Sequence, residues 1–243
     1  MNFEKYCYKN ISKKIYNKNI GNPKTILFDM DGVLVNVSSS YRMAIKKTAE
    51  FYLRKTVTFA EIQEYKNRGG FNNDWDLTDA ILRANDVIIN MKDIIDKFQF
   101  YYLGSNFNGF LQNEEWLLDL KILNKLAQEY KLGIVTGRPK EEAHYVLNRF
   151  GVKKYFSTVI TLEDTPCPKR KPDPWGIQLA LKNMNVIDAV YFGDTIDDMK
   201  AATAAGIIPV GVIETGAESY SSLIKYGAIS IIPHINKIME ILG

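Results

Sequence analysis

Five acidic residues follow two short apolar segments that predict buried strands: Asp29 and Asp31 after the first, and Asp194, Asp197 and Asp198 after the second. In an open α/β sheet the carboxyl ends of the strands meet at one edge, where ligands bind. Carboxylates that are brought together repel one another, and their pKa values rise unless a cation joins them. Oxygen ligands of this kind suit Mg²⁺, especially beside a phosphate. The pattern therefore predicts a magnesium site at this edge.

Two further residues indicate what the metal site would act on. Thr136 follows a third predicted strand, and Lys171 lies in a proline-rich loop ahead of a predicted helix. A hydroxyl, an ammonium group and backbone N–H groups together can hold a phosphate. Asp29 is then a candidate nucleophile, because a carboxylate can attack phosphorus and form an aspartyl-phosphate. Asp31, two residues further on, is the natural general acid and base.

The helices and strands that must position these residues are arranged in two different patterns along the chain. Segment 38–108 is predicted to be helical, with capping-box spacing at Thr58 and Glu61. After it, helices and strands alternate, which indicates a parallel sheet covered by helices on both faces. We therefore predict an α/β fold, in which a Rossmann-like parallel sheet core (23–37 and 109–243) carries an inserted all-helical cap domain at 38–108.

Composition and charge narrow the function classes. The chain has 243 residues, 46% hydrophobic and 24% charged, as in ordinary globular proteins. Residues 1–22 form a basic leader with five lysines and one acid, while the remainder is balanced at 26 basic and 27 acidic residues. Because basic and acidic residues are nearly equal in number outside the leader, we expect no nucleic-acid partner. We leave open whether the leader is an amphipathic helix or a solvated extension.

Location is predicted from what the sequence lacks. It has no run of about 18 apolar residues, so we expect no membrane span. Its N-terminus has no apolar run of about 7–15 residues, so we expect no secretory signal. Cys7 and Cys167 are too few for a disulfide framework. We therefore expect a cytoplasmic protein with free thiols.

Four segments resemble, in order, the motifs of the haloacid dehalogenase-like (HAD) superfamily: Phe-Asp-Met-Asp-Gly-Val-Leu at 28–34, Thr-Gly-Arg at 136–138, Lys-Pro-Asp-Pro at 171–174, and Gly-Asp-Thr-Ile-Asp-Asp-Met-Lys-Ala-Ala at 193–202. The resemblance extends from residue 23 to about residue 232. A helical insertion after the first motif resembles the subfamily with an α-helical cap, which includes phosphoglycolate phosphatases and β-phosphoglucomutase-like proteins. This resemblance implies a hydrolase whose cap closes over the substrate.

The resemblance also implies roles in phosphoryl transfer. Asp29 would be the nucleophile, and Asp31 would be the general acid and base. Thr136 and the backbone N–H of Gly137 would bind the phosphate. Lys171 would neutralise the nucleophile and the transferring phosphoryl group.

The implied metal site takes Mg²⁺ as its cofactor. Its ligands would be Asp29, Asp194 and the backbone carbonyl of Asp31. Asp198 would orient Lys171 or a metal-bound water. Asp197 has two interpretations, since it would either touch that water or cap the following helix.

Loop 68–75 of the predicted cap contains glycines, amides, an acid and a tryptophan. One interpretation is that it projects polar groups onto the substrate, with Asn72, Asn73 and Asp74 as candidates and Arg68 behind them. The other is that it simply connects two helices, with Trp75 as an anchor in the core.

The function predicted from this pattern is a magnesium-dependent phosphatase for a small phosphorylated metabolite. Asp31 argues against a dehalogenase, because dehalogenases of the superfamily lack the second aspartate of the first motif. A sugar-phosphate mutase and a non-catalytic binding or regulatory member stay open as alternatives. The sequence leaves the substrate and the oligomeric state open.

Overall fold

A computed structural model describes residues 20–21, 23–68, 73–213 and 220–242. The chain divides into two compact units, one formed by Met1–Val35 with Trp116–Gly243 and the other by Asn36–Glu115. Most of the predicted leader, residues 1–22, lies outside the described residues.

The strands are β1 (Thr25–Phe28), β2 (Val35–Asn36), β3 (Glu115–Trp116), β4 (Lys131–Val135), β5 (Thr158–Ile160), β6 (Val190–Gly193), β7 (Ile208–Val212) and β8 (Ser230–Ile232). Six of them form one sheet in the order β5-β4-β1-β6-β7-β8, and every pairing in it is parallel. β2 and β3 form a separate two-stranded sheet. The central strands are almost wholly buried, as expected where helices cover both faces. The predicted Rossmann-like parallel core is confirmed.

The helices are α1 (Tyr41–Leu53), α2 (Phe59–Arg68), α3 (Asp74–Arg83), α4 (Met91–Tyr102), α5 (Leu120–Glu129), α6 (Lys140–Arg149), α7 (Trp175–Met184), α8 (Ile196–Ala204) and α9 (Tyr220–Lys225). Short 3₁₀ turns lie at Phe110–Asn113, Lys153–Tyr155, Leu162–Asp164 and Ile235–Glu240. None of the helices in the described ranges has both the length and the apolar character needed to cross a bilayer.

α5 begins later than its apolar pattern predicts. The sequence indicates a helix from Leu117, but the first helical residue is Leu120. The carboxylate of Asp119 accepts hydrogen bonds from Lys121 N at 2.7 Å and Ile122 N at 3.4 Å. This side chain caps the helix and fixes its start, because it satisfies N–H groups that have no partner within the helix.

The helical unit is tied together near its ends by a buried carboxylate. Glu114 accepts hydrogen bonds from Ser40 Oγ at 2.8 Å and from Tyr102 Oη at 3.1 Å. These contacts join the residue before α1 to the end of α4 and to the returning chain. The unit that contains these contacts spans Asn36–Glu115, whereas the segment predicted from sequence is 38–108.

Two glycines let the chain fold tightly where the acidic residues lie. Gly32 has a φ of 76°, and its N–H closes the turn after β1 on Val35 O at 2.9 Å. A Cβ on Gly193 would lie 2.3 Å from Asp198 Cβ. The first turn of α8 therefore lies against the end of β6 because residue 193 has no side chain.

We predict that Gly193→Ala destabilises the protein by about 1–3 kcal/mol, since the added methyl group overpacks this contact. The measurement is the free energy of unfolding from denaturant titration. Gly137→Ala is the matched control, because a Cβ there meets no atom within 4 Å. Equal stability of the two variants would contradict the proposed close approach.

Candidate active site

Lys171 joins two of the acids that the sequence singles out. Its Nζ donates to Asp29 Oδ1 at 2.8 Å and to Asp198 Oδ1 at 2.7 Å. The neighbouring Lys169 instead lies over the ring of Trp175, with Nζ 3.8 Å from the ring centroid. Lys171 is thus the lysine of this loop that meets Asp29.

Asp198 is held in place through both carboxylate oxygens. Oδ1 accepts from Lys171 and lies 3.1 Å from Tyr191 Oη. Oδ2 accepts from Thr195 N at 3.1 Å and Thr195 Oγ1 at 2.7 Å, while Thr195 Oγ1 accepts from Asp198 N at 3.2 Å. This capping box begins α8, so the same acid starts a helix and holds the lysine.

Three buried acids converge at the carboxyl ends of β1 and β6. Asp29, Asp194 and Asp198 each offer a carboxylate oxygen, and these oxygens lie within 4.8 Å of one another. Asp29 N donates to Phe192 O at 2.8 Å, which continues the β1–β6 pairing into the site. Because the donors are all oxygen atoms with negative charge, the set fits a hard divalent cation such as Mg²⁺.

The electrostatics of this cluster reflect burial and repulsion. Burial, with smaller contributions from the charges of Asp198 and Asp31, raises the pKa of Asp29 to about 7 against the opposing effect of Lys171. Burial and the charges of Asp198 and Asp29 raise the pKa of Asp194 well above its usual range. For Lys171, burial alone would lower the pKa, but Asp198 and Asp29 outweigh burial and hold it well above its usual range. The lysine therefore stays charged, while the acids strongly favour binding a cation.

Asp31 lies at the margin of the cluster and is held by an arginine. Its side chain is 31% exposed, and its Oδ1 accepts from Nε of Arg138, whose side chain is fully buried. A buried guanidinium needs a charged partner, so this ion pair fixes the orientation of the Asp31 carboxylate. The sequence leaves open whether Arg138 contacts the substrate or forms a local ion pair, and the structure shows the ion pair with Asp31.

The predicted phosphate-binding residues follow β4, which neighbours β1 in the sheet. Thr136 is buried, its N–H donates to Ile160 O at 2.9 Å, and its Oγ1 accepts from Arg138 N at 3.2 Å. The space beside Gly137 is open, since an added Cβ would meet nothing within 4 Å. Val135 O, just before Thr136, lies 3.4 Å from Lys171 Nζ. The loop thus starts directly beside the lysine.

Asp197 is not one of the three acids whose carboxylate oxygens converge. Asp197 is half-buried in the first turn of α8, where burial raises its pKa. The capping role that one interpretation gave to Asp197 belongs to Thr195 and Asp198.

Loop 68–75 is described only in part. Asn72 and the side chain of Arg68 lie outside the described residues. Asn73 caps α3 by accepting from Trp75 N at 2.9 Å, and Asp74 is the first residue of that helix. Trp75 is partly buried and packs edge-on against Phe98 with ring centroids 6.5 Å apart.

One residue of the cluster was not anticipated from sequence. The sequence pattern places Tyr191 only in the apolar segment that precedes Asp194, yet its hydroxyl lies among Lys171, Asp198 and Val135 O. The sequence does carry one signal for this role, because Tyr191 places a hydroxyl in a strand that is predicted to be buried. A buried tyrosine hydroxyl usually has a hydrogen-bond partner.

Comparison with known proteins places these motifs in a family context. A family model described as haloacid dehalogenase-like hydrolase matches residues 26–212. The chain is 34% identical over 229 residues to an imidazoleglycerol-phosphate dehydratase of Phytophthora nicotianae, covering 90% of this chain and 49% of that protein. It therefore spans about half the length of that relative.

Other relatives match over nearly their whole length. The chain is 26% identical over 225 residues to pyrophosphatase PpaX of Bacillus pumilus, covering 90% of this chain and 96% of that protein. A solved structure, a predicted phosphoglycolate phosphatase from Haemophilus somnus, shares the fold with a TM-score of 0.74 and 23% identity. That match covers 90% of this chain and 98% of the other.

We predict that Asp194→Asn stabilises the metal-free protein at pH 8 by about 1 kcal/mol or more. The raised pKa means that the native state favours the protonated acid, so ionisation lowers the free energy of unfolding as pH rises. The gain over wild type should shrink as the pH falls towards 4. The measurement is denaturant unfolding in a chelator at several pH values.

Asp188→Asn provides the control, because it removes an exposed aspartate outside the cluster. It should leave the dependence of stability on pH close to that of wild type. An Asp194→Asn protein that is less stable than wild type at pH 8 would show that the buried charge is better compensated than we infer.

Proposed function

Because this chain belongs to the haloacid dehalogenase-like hydrolase family, we propose that it is a magnesium-dependent phosphatase acting on a small phosphorylated metabolite. The observation that carries the proposal is the contact of Lys171 with both Asp29 and Asp198 beside Asp194. This cluster lies at the carboxyl edge of a parallel sheet, where ligands of such folds bind. The names of the pyrophosphatase and phosphoglycolate phosphatase relatives support a phosphate ester or anhydride as the substrate class.

In the proposed first step, a carboxylate oxygen of Asp29 attacks the phosphorus of the substrate. The bond from phosphorus to the leaving oxygen breaks, and the leaving group takes a proton from Asp31. Lys171 offsets negative charge on the attacking carboxylate and on the phosphoryl group. The products of this step are the free alcohol and an aspartyl-phosphate at position 29.

In the second step, a water molecule attacks the phosphorus of that aspartyl-phosphate. Asp31, now ionised, takes the proton from the water, and the Asp29 carboxylate leaves. The enzyme returns to its starting state and phosphate is released. Arg138 positions the Asp31 side chain, which is 31% exposed, at the edge of the cluster. Its positive charge favours the ionised Asp31 that takes the proton from water in the second step.

The residues fit a resident Mg²⁺. Asp29 and Asp194 would hold it with the backbone carbonyl of Asp31, whereas both oxygens of Asp198 are already engaged by Lys171, Tyr191 and Thr195. When bound, Mg²⁺ offsets the repulsion between the acids and an anionic substrate. Thr136 and the N–H of Gly137 would hold the phosphate oxygens on the neighbouring strand end.

We predict that Asp29→Asn abolishes phosphate release, because the amide is a far weaker nucleophile than the carboxylate. The measurement is phosphate release with Mg²⁺ from a panel that includes pyrophosphate, phosphoglycolate and sugar phosphates. Asp188→Asn should retain wild-type rates. Turnover by Asp29→Asn would contradict the proposal, and an isomerised sugar phosphate without free phosphate would indicate a mutase.

We also predict that Mg²⁺ raises the melting temperature of the wild type but not of Asp194→Asn. Saturation at about 100 times the dissociation constant corresponds to about 2.7 kcal/mol. The effect should be larger at pH 8 than at pH 6, because protons compete for Asp29, whose pKa is about 7. The measurement is thermal unfolding in a magnesium titration. Equal shifts in both proteins would locate the ion elsewhere.

A further inference from the structure

Tyr191 is a fully buried residue of β6 whose hydroxyl lies inside the cluster, although neither chemical step uses it. Its Oη lies 3.2 Å from Lys171 Nζ, 3.1 Å from Asp198 Oδ1 and 3.1 Å from Val135 O. One partner would satisfy a buried tyrosine hydroxyl. Here the hydroxyl meets the lysine, the acid that holds the lysine, and the backbone of the neighbouring strand.

The donors and acceptors of this group can be counted. The Lys171 ammonium has three protons. Two of them face Asp29 and Asp198, and the third faces Tyr191 Oη, with Val135 O slightly farther away at 3.4 Å. The hydroxyl accepts from the lysine and gives its single proton to Val135 O or to Asp198. Tyr191 is thus the neutral third contact that sets the direction of the ammonium.

The direction of the ammonium matters because a lysine side chain is flexible. It is a point charge on a four-carbon stem, and its rotatable donors do not fix its position alone. The phenol ring of Tyr191, by contrast, is fully buried and is attached to a strand of the central sheet, so its position is fixed by packing. A displacement of about 1 Å at a reacting centre can cost about 100-fold in rate.

We propose that Tyr191 is a positioning residue whose hydroxyl holds the Lys171 ammonium against the attacking carboxylate of Asp29. This inference rests on the proposed phosphoryl transfer at Asp29. It assigns the hydroxyl no contact with substrate and no transfer of a proton. Its effect should therefore appear in the rate of the chemical step rather than in substrate binding.

The first test is Tyr191→Phe, which keeps the buried ring and removes only Oη. We expect kcat to fall by about 10- to 100-fold, the range for loss of a hydrogen bond to a charged group. KM should change less than about twofold, since uniform binding is unaffected. A wild-type kcat, or a loss confined to KM, would overturn the proposal.

Tyr102→Phe is the matched control. It also removes a buried tyrosine hydroxyl that is bonded to a carboxylate, 3.1 Å from Glu114 Oε1 in the helical unit. We expect a similar loss of stability in thermal unfolding and an unchanged kcat. If both variants lose kcat in proportion to their loss of stability, the role of Tyr191 is structural and the proposal fails.

A second readout does not depend on turnover. A buried, hydrogen-bonded ammonium exchanges slowly with water and gives a resolved ¹H–¹⁵N signal in protein labelled at lysine. The Lys171 signal is assigned by its loss in Lys171→Met. In Tyr191→Phe we expect it to shift or broaden, whereas an unchanged signal would overturn the proposal. This NMR measurement tests the contact between Tyr191 and Lys171 even if the wild type releases no phosphate from any compound. Absence of phosphate release would count against the proposed function alone.

Discussion

The ion contacts of Lys171 with two buried aspartates are the interaction on which the rest of the site depends. A buried carboxylate needs compensation, and here Asp29, Asp194 and Asp198 bring their oxygens within 4.8 Å of one another. One ammonium offsets part of that charge. The remaining negative charge suits the site to a divalent cation, which would then offset the repulsion between these acids and an anionic substrate.

The sheet supplies the convergence that this electrostatic arrangement requires. β1 lies between β4 and β6, so the residues that follow these three strands meet at one edge. Asp29 is therefore central, with Asp194 on one side and Thr136 on the other. The missing side chain of Gly193 then lets α8 bring Asp198 against the end of β6. The packing at this edge of the sheet and the convergence of the acidic side chains thus depend on the same few backbone positions.

Much of this architecture could be predicted from sequence, because it follows from patterns among residues that are close together in the chain. Apolar segments ending in acids predicted the strands and the edge where ligands bind, and the capping box at Thr58 and Glu61 is present. Contacts between distant segments could not be predicted this way. Periodicity carries no information about the partner of Arg138, the hydroxyl of Tyr191 or the carboxylate of Glu114, since each is fixed by tertiary packing.

The proposed aspartyl-phosphate at Asp29 can be tested by trapping it in a single turnover. Borohydride reduces an aspartyl-phosphate to homoserine, which peptide mass spectrometry can locate along the chain. We expect homoserine at position 29 when a reaction containing substrate and Mg²⁺ is quenched and reduced, and unmodified Asp29 when substrate is omitted. Phosphate release without modification of Asp29, or modification of a different residue, would contradict the proposal.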